Sequence, residues 1–219
     1  KVLVPLLGDH YGTVLEQGQL ELRFDPASGD FSVYYYEHRF PIDPRTYPQL
    51  LEPGMEALAG AEGFPEEHFL ELQSLITAFG HLPSRFETAP ESVEERLRDK
   101  EIHKRHLAEL VQRSPEVAEY INGRVAHVSG APGRPRSFDA LHELLEAQAY
   151  RLAYWQVALD EINYRRFFDI NDLAGLRMEE PEVFYATHGL ILELVRKNQV
   201  EGLRIDHPDG LYDPLCYYR

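Results

Sequence analysis

The sequence predicts an α+β fold in which helix predominates, and three observations carry that reading. Residues 19–37 alternate apolar and polar positions on either side of a turn. Residues 60–127, 137–160 and 181–198 repeat apolar side chains mostly at helical spacing. Residues 200–206, "VEGLRID", form a short apolar run that ends in Arg204 and Asp206 and breaks at once into His-Pro-Asp-Gly.

The opening "KVLVPLLGDH" holds one Lys and an apolar stretch too short for a signal peptide, with no small-residue cleavage site. In "GQLELRFDPASGDFSVYYYEHRF", Leu20, Leu22 and Phe24 alternate on one arm and Phe31, Val33 and Tyr35 on the other. Asp-Pro-Ala-Ser-Gly between them is turn chemistry, so a β-hairpin is predicted. Pro41, Pro44, Pro48 and Pro53 then predict an extended linker over a surface. From Pro65 the period turns helical, with Phe69, Leu72, Leu75, Ile76 and Phe79 on one face. A charged helix is expected from Pro90 to about Val111, its stripe being Val93, Leu97, Leu107, Leu110 and Val111. Ser114-Pro115 opens another that ends near Gly123 or a turn later, and "SGAPGRPRS" (129–137) is the clearest loop. Ser137 is the expected N-cap of a long helix that buries Phe138, Leu141, Leu144, Leu145, Leu152 and Trp155. After the loop "NYRRFFDINDLAGL", Pro181 starts a last helix with Val183, Phe184, Leu190, Leu194 and Val195 inward. A strand is expected at 200–206. Helix, short strand and polar residues at the strand's C-terminal end are the grammar of a (β/α) barrel, where that end carries the chemistry.

Composition narrows the partners. With 43% hydrophobic residues in 219, the chain can build a core as one large domain or two small ones. A formal charge of −15 argues against nucleic acid or an anionic membrane, both of which need a basic footprint. No run approaches the roughly 18 apolar residues of a membrane span. A neutral ligand is more natural; 13 Tyr fit sugar stacking as well as they fit an ordinary core. The single Cys216 excludes an internal disulfide and fits a reducing cytoplasm. The chain is expected to be an internal piece of a longer protein.

Asp206 is the strongest candidate for chemistry. On a strand, Arg204 and Asp206 share one face and Leu203 and Ile205 the other. A guanidinium beside a carboxylate favours its ionised form, which suits a nucleophile or a metal ligand as well as a plain structural ion pair. His103 and His106 in "IHKRH" read as a solvated helix face rather than a metal pair. "DINDLAG" lacks the alternating acidic positions and terminal Glu of a calcium loop. No Gly-rich phosphate loop and no Ser or Cys nucleophile motif is present.

"GLRIDHPDGL" resembles the nucleophile strand of the α-amylase family of glycoside hydrolases, in which Gly-x-Arg-x-Asp ends the fourth barrel strand. "FDIND" is similar to that family's short Asp-x-Asn segment upstream. The run "FDALHELLEAQAYRLAYWQVALDEINYRRFFDINDLAGLR", and "YYYEHRFPIDPRTYP" nearer the start, resemble one branch of it, the maltooligosyl trehalose synthases. The resemblance covers essentially the whole chain and is most specific over 138–215.

This resemblance implies an inserted subdomain over 1–160 (β-hairpin, then helices) roofing an active-site cleft. It also implies that 161–219 contribute the α3–β4 segment of a TIM (β/α)8 barrel. Asp206 maps onto the nucleophile and Arg204 onto its support, while Asp169 and Asn171 map onto the upstream segment that orders a loop. His207, Asp209 and Tyr212 are implied to line the substrate site. Asp209-Gly210 stand where most amylases carry Lys-His, which sets ordinary amylase acceptor contacts aside and agrees with the mutase branch. The implied reaction is isomerisation of a maltooligosaccharide, moving its reducing-end α-1,4 bond to an α,α-1,1 bond without cofactor or metal. Alternatives are an α-glucan hydrolase or transferase of the same family, or a non-catalytic carbohydrate-binding or structural domain. The acid/base Glu and second Asp of the family lie outside these residues, so the chain alone is expected to be inactive. The expected partners are the maltooligosaccharide and the remainder of the parent chain, with a cytoplasmic location.

Overall fold

A computed structural model describes residues 1–59 and 64–219, so the first four positions of the expected helical stretch 60–127 lie outside the described residues. The fold mixes helix and sheet, as the pattern predicted, and divides into two compact units. One comprises Lys1 and Leu6–Tyr154; the other comprises Val2–Pro5 and Trp155–Arg219. Strand β1 (Val2–Leu7) runs across that division.

In the first unit, α1 (Tyr11–Glu16) leads into β2 (Glu21–Asp25) and β3 (Asp30–Tyr35), the predicted hairpin. Leu22 pairs with Val33 and Phe24 with Phe31 in an antiparallel register. Asp25 closes the turn through both carboxylate oxygens, accepting from Ala27 N–H at 3.0 Å and from the Ser28 hydroxyl at 2.7 Å. Gly29 is required there. Its φ is +73°, and a Cβ would collide with the Lys104 carbonyl. A third strand, β4 (His38–Pro41), pairs antiparallel with β3. Sequence reasoning missed it because the intervening turn is built on Tyr36, a non-glycine residue at φ 52°.

The proline-rich passage is not a surface linker. It forms a 3₁₀ turn at Pro44–Thr46 and α2 (Tyr47–Leu51), with Tyr47, Leu50 and Leu51 fully buried. Pro44 and Pro48 sit in first turns, where the missing N–H has no partner to lose. Tyr47 packs against Phe31 and Phe79 at ring distances of 4.8 and 4.9 Å, and this trio is the centre of the core.

After α3 (Glu56–Ala59), α4 (Glu66–His81) buries Leu72, Leu75, Ile76 and Phe79 as predicted, with Phe69 half-buried. α5 (Pro90–Arg113) runs antiparallel to it: Phe79 meets His103 edge-on, and Glu71 pairs with Arg113. At 1.5 Å per residue α5 is about 12 Å longer than α4. Its first turns therefore outrun α4, which leaves the expected stripe residue Leu97 exposed and Val93 half-buried. His103 is half-buried against Phe79 rather than on a solvated face; only His106 is exposed. Ser114 caps α6 (Pro115–Val128), its buried hydroxyl accepting from Val117 N–H.

The long helix expected over 137–160 does not form. α7 (Asp139–Glu146) stops after two turns and β5 (Tyr150–Tyr154) follows, then a 3₁₀ turn and α8 (Ala158–Glu161). The buried amide of Gln148 helps to end α7, because it bridges two segments. It accepts from Asp43 N–H at 2.8 Å and donates to the Leu144 carbonyl at 2.6 Å. Ser137 does not cap α7 either. Its hydroxyl knits the preceding loop, bonding Ala131 and Arg134, and Phe138 takes the cap position. Trp155 is exposed, not part of a buried stripe.

In the second unit, α9 (Pro181–Arg196) matches its predicted span, but none of its residues is fully buried, and Leu190 is 69% exposed. The expected strand at 200–206 is not formed among the described residues. That segment bends at Glu201 and otherwise has no regular structure or strand partner, and a short helix, α10 (Pro214–Tyr217), follows it. No helix of the described residues is long and apolar enough to cross a membrane.

Candidate functional site

The second unit holds every candidate residue the sequence singled out. Arg204 and Asp206 are both exposed, and no ion pair joins them among the described residues. A strand ladder would have aligned them, and without one the shared face is not imposed. Leu203 is 51% exposed and Ile205 half-buried, so the run's apolar side is covered only in part.

The residue after Asp206 is held firmly. His207 sits in the left-handed region (φ 54°, ψ 45°) directly before Pro208, where helical backbone is already disfavoured. Such an outlier costs on the order of 1–3 kcal/mol and persists only where its surroundings dictate it. Here the surroundings are visible. The imidazole stacks on Phe168 at 4.0 Å and meets Phe167 edge-on at 5.1 Å. Its Nε2 accepts from Phe168 N–H at 3.3 Å, and its Nδ1 lies 3.4 Å from the Asp209 carboxylate. With Nε2 accepting, Nδ1 is the ring nitrogen that faces Asp209. Gly210 completes the fit, since a Cβ there would strike the imidazole. Phe168 is itself left-handed at φ 52°, so two strained residues from separate segments lock together.

Asp169 and Asn171 organise the loop that supplies Phe168. Arg166 donates to the Asn171 side-chain oxygen at 2.6 Å and to the Asp169 carbonyl at 3.3 Å. The Asp169 carboxylate itself is 95% exposed and only 3.6 Å from that guanidinium. Tyr164 donates its hydroxyl to the Asn171 carbonyl at 2.8 Å, and burial raises its pKa above the ordinary phenol value. Arg165 lies over the exposed Tyr212 ring at 5.3 Å. Sequence reasoning took "NYRRFF" as plain loop and missed Tyr164, Arg165, Arg166 and Phe168. The available signal was a pair of arginines in an acidic chain beside Asp-Ile-Asn.

A cavity of about 210 Å³ opens nearby, lined chiefly by Met178, Phe184, Tyr185, Leu211, Tyr212 and Tyr217. Tyr217 is oriented by its hydroxyl, 2.8 Å from Nε2 of His188. Exposed aromatic faces of this kind can stack on the CH face of a sugar. Asp206 is not among the lining residues. The unit therefore presents an exposed carboxylate, a locked histidine beside it and an aromatic hollow.

No family model matches the chain, and no solved structure matches it. The chain is similar to two proteins from strains of Mycobacterium tuberculosis, each described as "Putative maltooligosyl trehalose synthase", at 46% identity over 72 residues. The match takes in 33% of this chain and spans 9% of the length of those relatives.

Proposed function

We propose that the chain is part of a (1→4)-α-D-glucan 1-α-D-glucosylmutase, a maltooligosyl trehalose synthase built on an α-amylase-type (β/α)8 barrel. The 46% identity to relatives of that name carries the reading, together with the "GLRIDHPDGL" run. Asp206 attacks C1 of the penultimate glucose, the bond from C1 to the reducing-end O4 breaks, and a β-glucosyl ester forms. A Glu outside this chain protonates the departing oxygen from about 5 Å away. The released glucose stays, turns and returns its own C1 hydroxyl to the ester carbon. The same Glu takes back the proton of that hydroxyl, Asp206 leaves as the carboxylate, and the product is an α,α-1,1 bond with overall retention.

Arg204 supports the ionised nucleophile. His207, Asp209 and Tyr212 line the sugar site, while Asp169 and Asn171 order the loop behind His207. Excluding water from the ester intermediate falls to the inserted residues 1–160. The substrate is a maltooligosaccharide, the macromolecular partner is the rest of the parent chain, and the single Cys216 supports a cytoplasmic setting. An α-glucan hydrolase or transferase of the same family would use the same nucleophile, and product analysis of the intact enzyme separates the two.

In the intact parent, Asp206→Asn should lower trehalose-forming turnover by many orders of magnitude while glucan binding persists. Arg204→Lys should also be severe, because a point charge does not replace a planar fork. Near-normal turnover in Asp206→Asn would overturn the assignment.

A further inference from the structure

A second cavity, of about 300 Å³, lies wholly within the first unit, between the segment after β4, the start of α5 and the end of α7. Its walls include apolar Pro41, Ile42, Pro44 and Leu82, yet three cations converge on it: Arg85, Arg96 and Lys100. One lining carboxylate, Asp43, opposes them, so the local formal charge is three minus one, or +2. That is unexpected in a chain of net −15.

The cations are committed only in part. Arg85 donates through Nη1 to the Ala147 carbonyl at 2.9 Å and approaches Asp43 no closer than 4.0 Å. Arg96 donates through Nη1 to the carbonyls of Ser84 and Glu87. Nε and Nη2 of both guanidinium groups hold no hydrogen bond among the described residues. The Lys100 side chain is 32% exposed, and among the described residues its one ion-pair contact is Glu101 at 3.9 Å. Arg96 and Lys100 are four residues apart on α5, where like charges repel and cost the helix stability. Anchored arginines with free donors, a lysine lacking a close partner and half-shielded walls together describe a receptor for an anion.

We infer that this pocket binds a phosphoryl dianion, either free phosphate or the phosphomonoester of a small sugar. The charge of −2 offsets the local +2, and the free guanidinium edges offer the forked donors that phosphate oxygens accept. The volume lies at the lower end of the range for pockets that hold small ligands, about 300–1,000 Å³. The inference is independent of the glucan chemistry assigned to the second unit.

The test is isothermal titration calorimetry of the whole chain near neutral pH and low ionic strength, with glucose 6-phosphate, inorganic phosphate and glucose as probes. Saturable one-site binding of one or both phosphates, with none for glucose, is expected. Tighter binding of glucose 6-phosphate identifies a sugar phosphate as the ligand; equal or tighter binding of inorganic phosphate identifies free phosphate. Lys100→Ala removes an ammonium whose nearest ion-pair partner among the described residues is 3.9 Å away, and should weaken binding about tenfold or more. Lys197→Ala, on α9, should leave it unchanged. The inference is overturned if neither phosphate binds saturably, if glucose binds as well as its phosphate, or if Lys100→Ala binds like the parent.

Discussion

The Tyr47 hydroxyl accepts Phe31 N–H at 3.0 Å in a fully buried setting, while Phe31 C=O accepts from Ile42 N–H beyond the end of β4. A side chain from α2 thus takes over the ladder where the third strand ends. Burial raises the Tyr47 phenol well above its ordinary pKa, so it stays neutral throughout the usual working range. Tyr47→Phe keeps the ring contacts with Phe31 and Phe79 but leaves a buried N–H unpaired. It should destabilise the first unit by about 1–3 kcal/mol, read as a lower urea midpoint by circular dichroism. Nothing in "DPRTYPQLL" announces this role, because the partner of Tyr47 lies 16 residues away. Asp206, by contrast, stands out as a candidate in the sequence alone, because Arg-x-Asp runs directly into His-Pro-Asp-Gly.

At the scale of elements, α4 and α5 are joined by a contact that responds to pH. His103 packs edge-on to Phe79, and burial lowers its pKa below the ordinary 6.5; neighbouring Asp99 opposes that shift and His106 adds to it. The native imidazole therefore resists a proton that the unfolded chain accepts. Where the unfolded state binds more protons, stability rises with pH. This contribution is fully present above 6.5 and is lost as pH falls through the interval down to the lowered native value. Urea midpoints taken at about pH 7 and about pH 5.5 should fall more for the parent than for His103→Gln. Equal falls would remove His103 from the explanation. The hairpin, α4, α5, α6 and α9 could be read from local signals: a period of two around a turn, a period near 3.6, and Pro or Ser at helix starts. The break between α7 and β5 could not. "LHELLEAQAYRLAYW" continues a helical spacing without interruption, and the decision against helix falls where Gln148 is buried between Asp43 and Leu144.

For the molecule as a whole, residues 200–206 carry the proposed nucleophile in an irregular run with no strand beside it among the described residues. No residue of the preceding α9 is fully buried, and its Leu190, Ile191 and Val195 are exposed. Nucleophile and acid must stand about 5 Å apart on a rigid frame, and the acid group alone contributes about 10²–10⁴-fold. The purified chain incubated with maltopentaose should therefore release no glucose, shortened glucan or non-reducing product above background. An enzyme-dependent product that Asp206→Asn abolishes would show that the missing groups lie within these residues.

Local chemistry settles the features legible in the sequence: the hairpin, most helix spans, and the Asp-His-Pro-Asp-Gly break with its candidate nucleophile. Tertiary structure alone decided the burial of the proline-rich α2, the end of α7, the locking of His207 by Phe168 and the gathering of Arg85, Arg96 and Lys100 around one cavity. The physical reason is the range of the forces involved. Periodicity, capping and turn preference act over a few residues, whereas these four features depend on partners brought together by packing from distant parts of the chain. A strand lies at the limit of this division. Its residues can favour extension, as the apolar pattern of 200–206 suggests, but its hydrogen bonds and the faces of its side chains exist only when a neighbouring strand is there to pair with it.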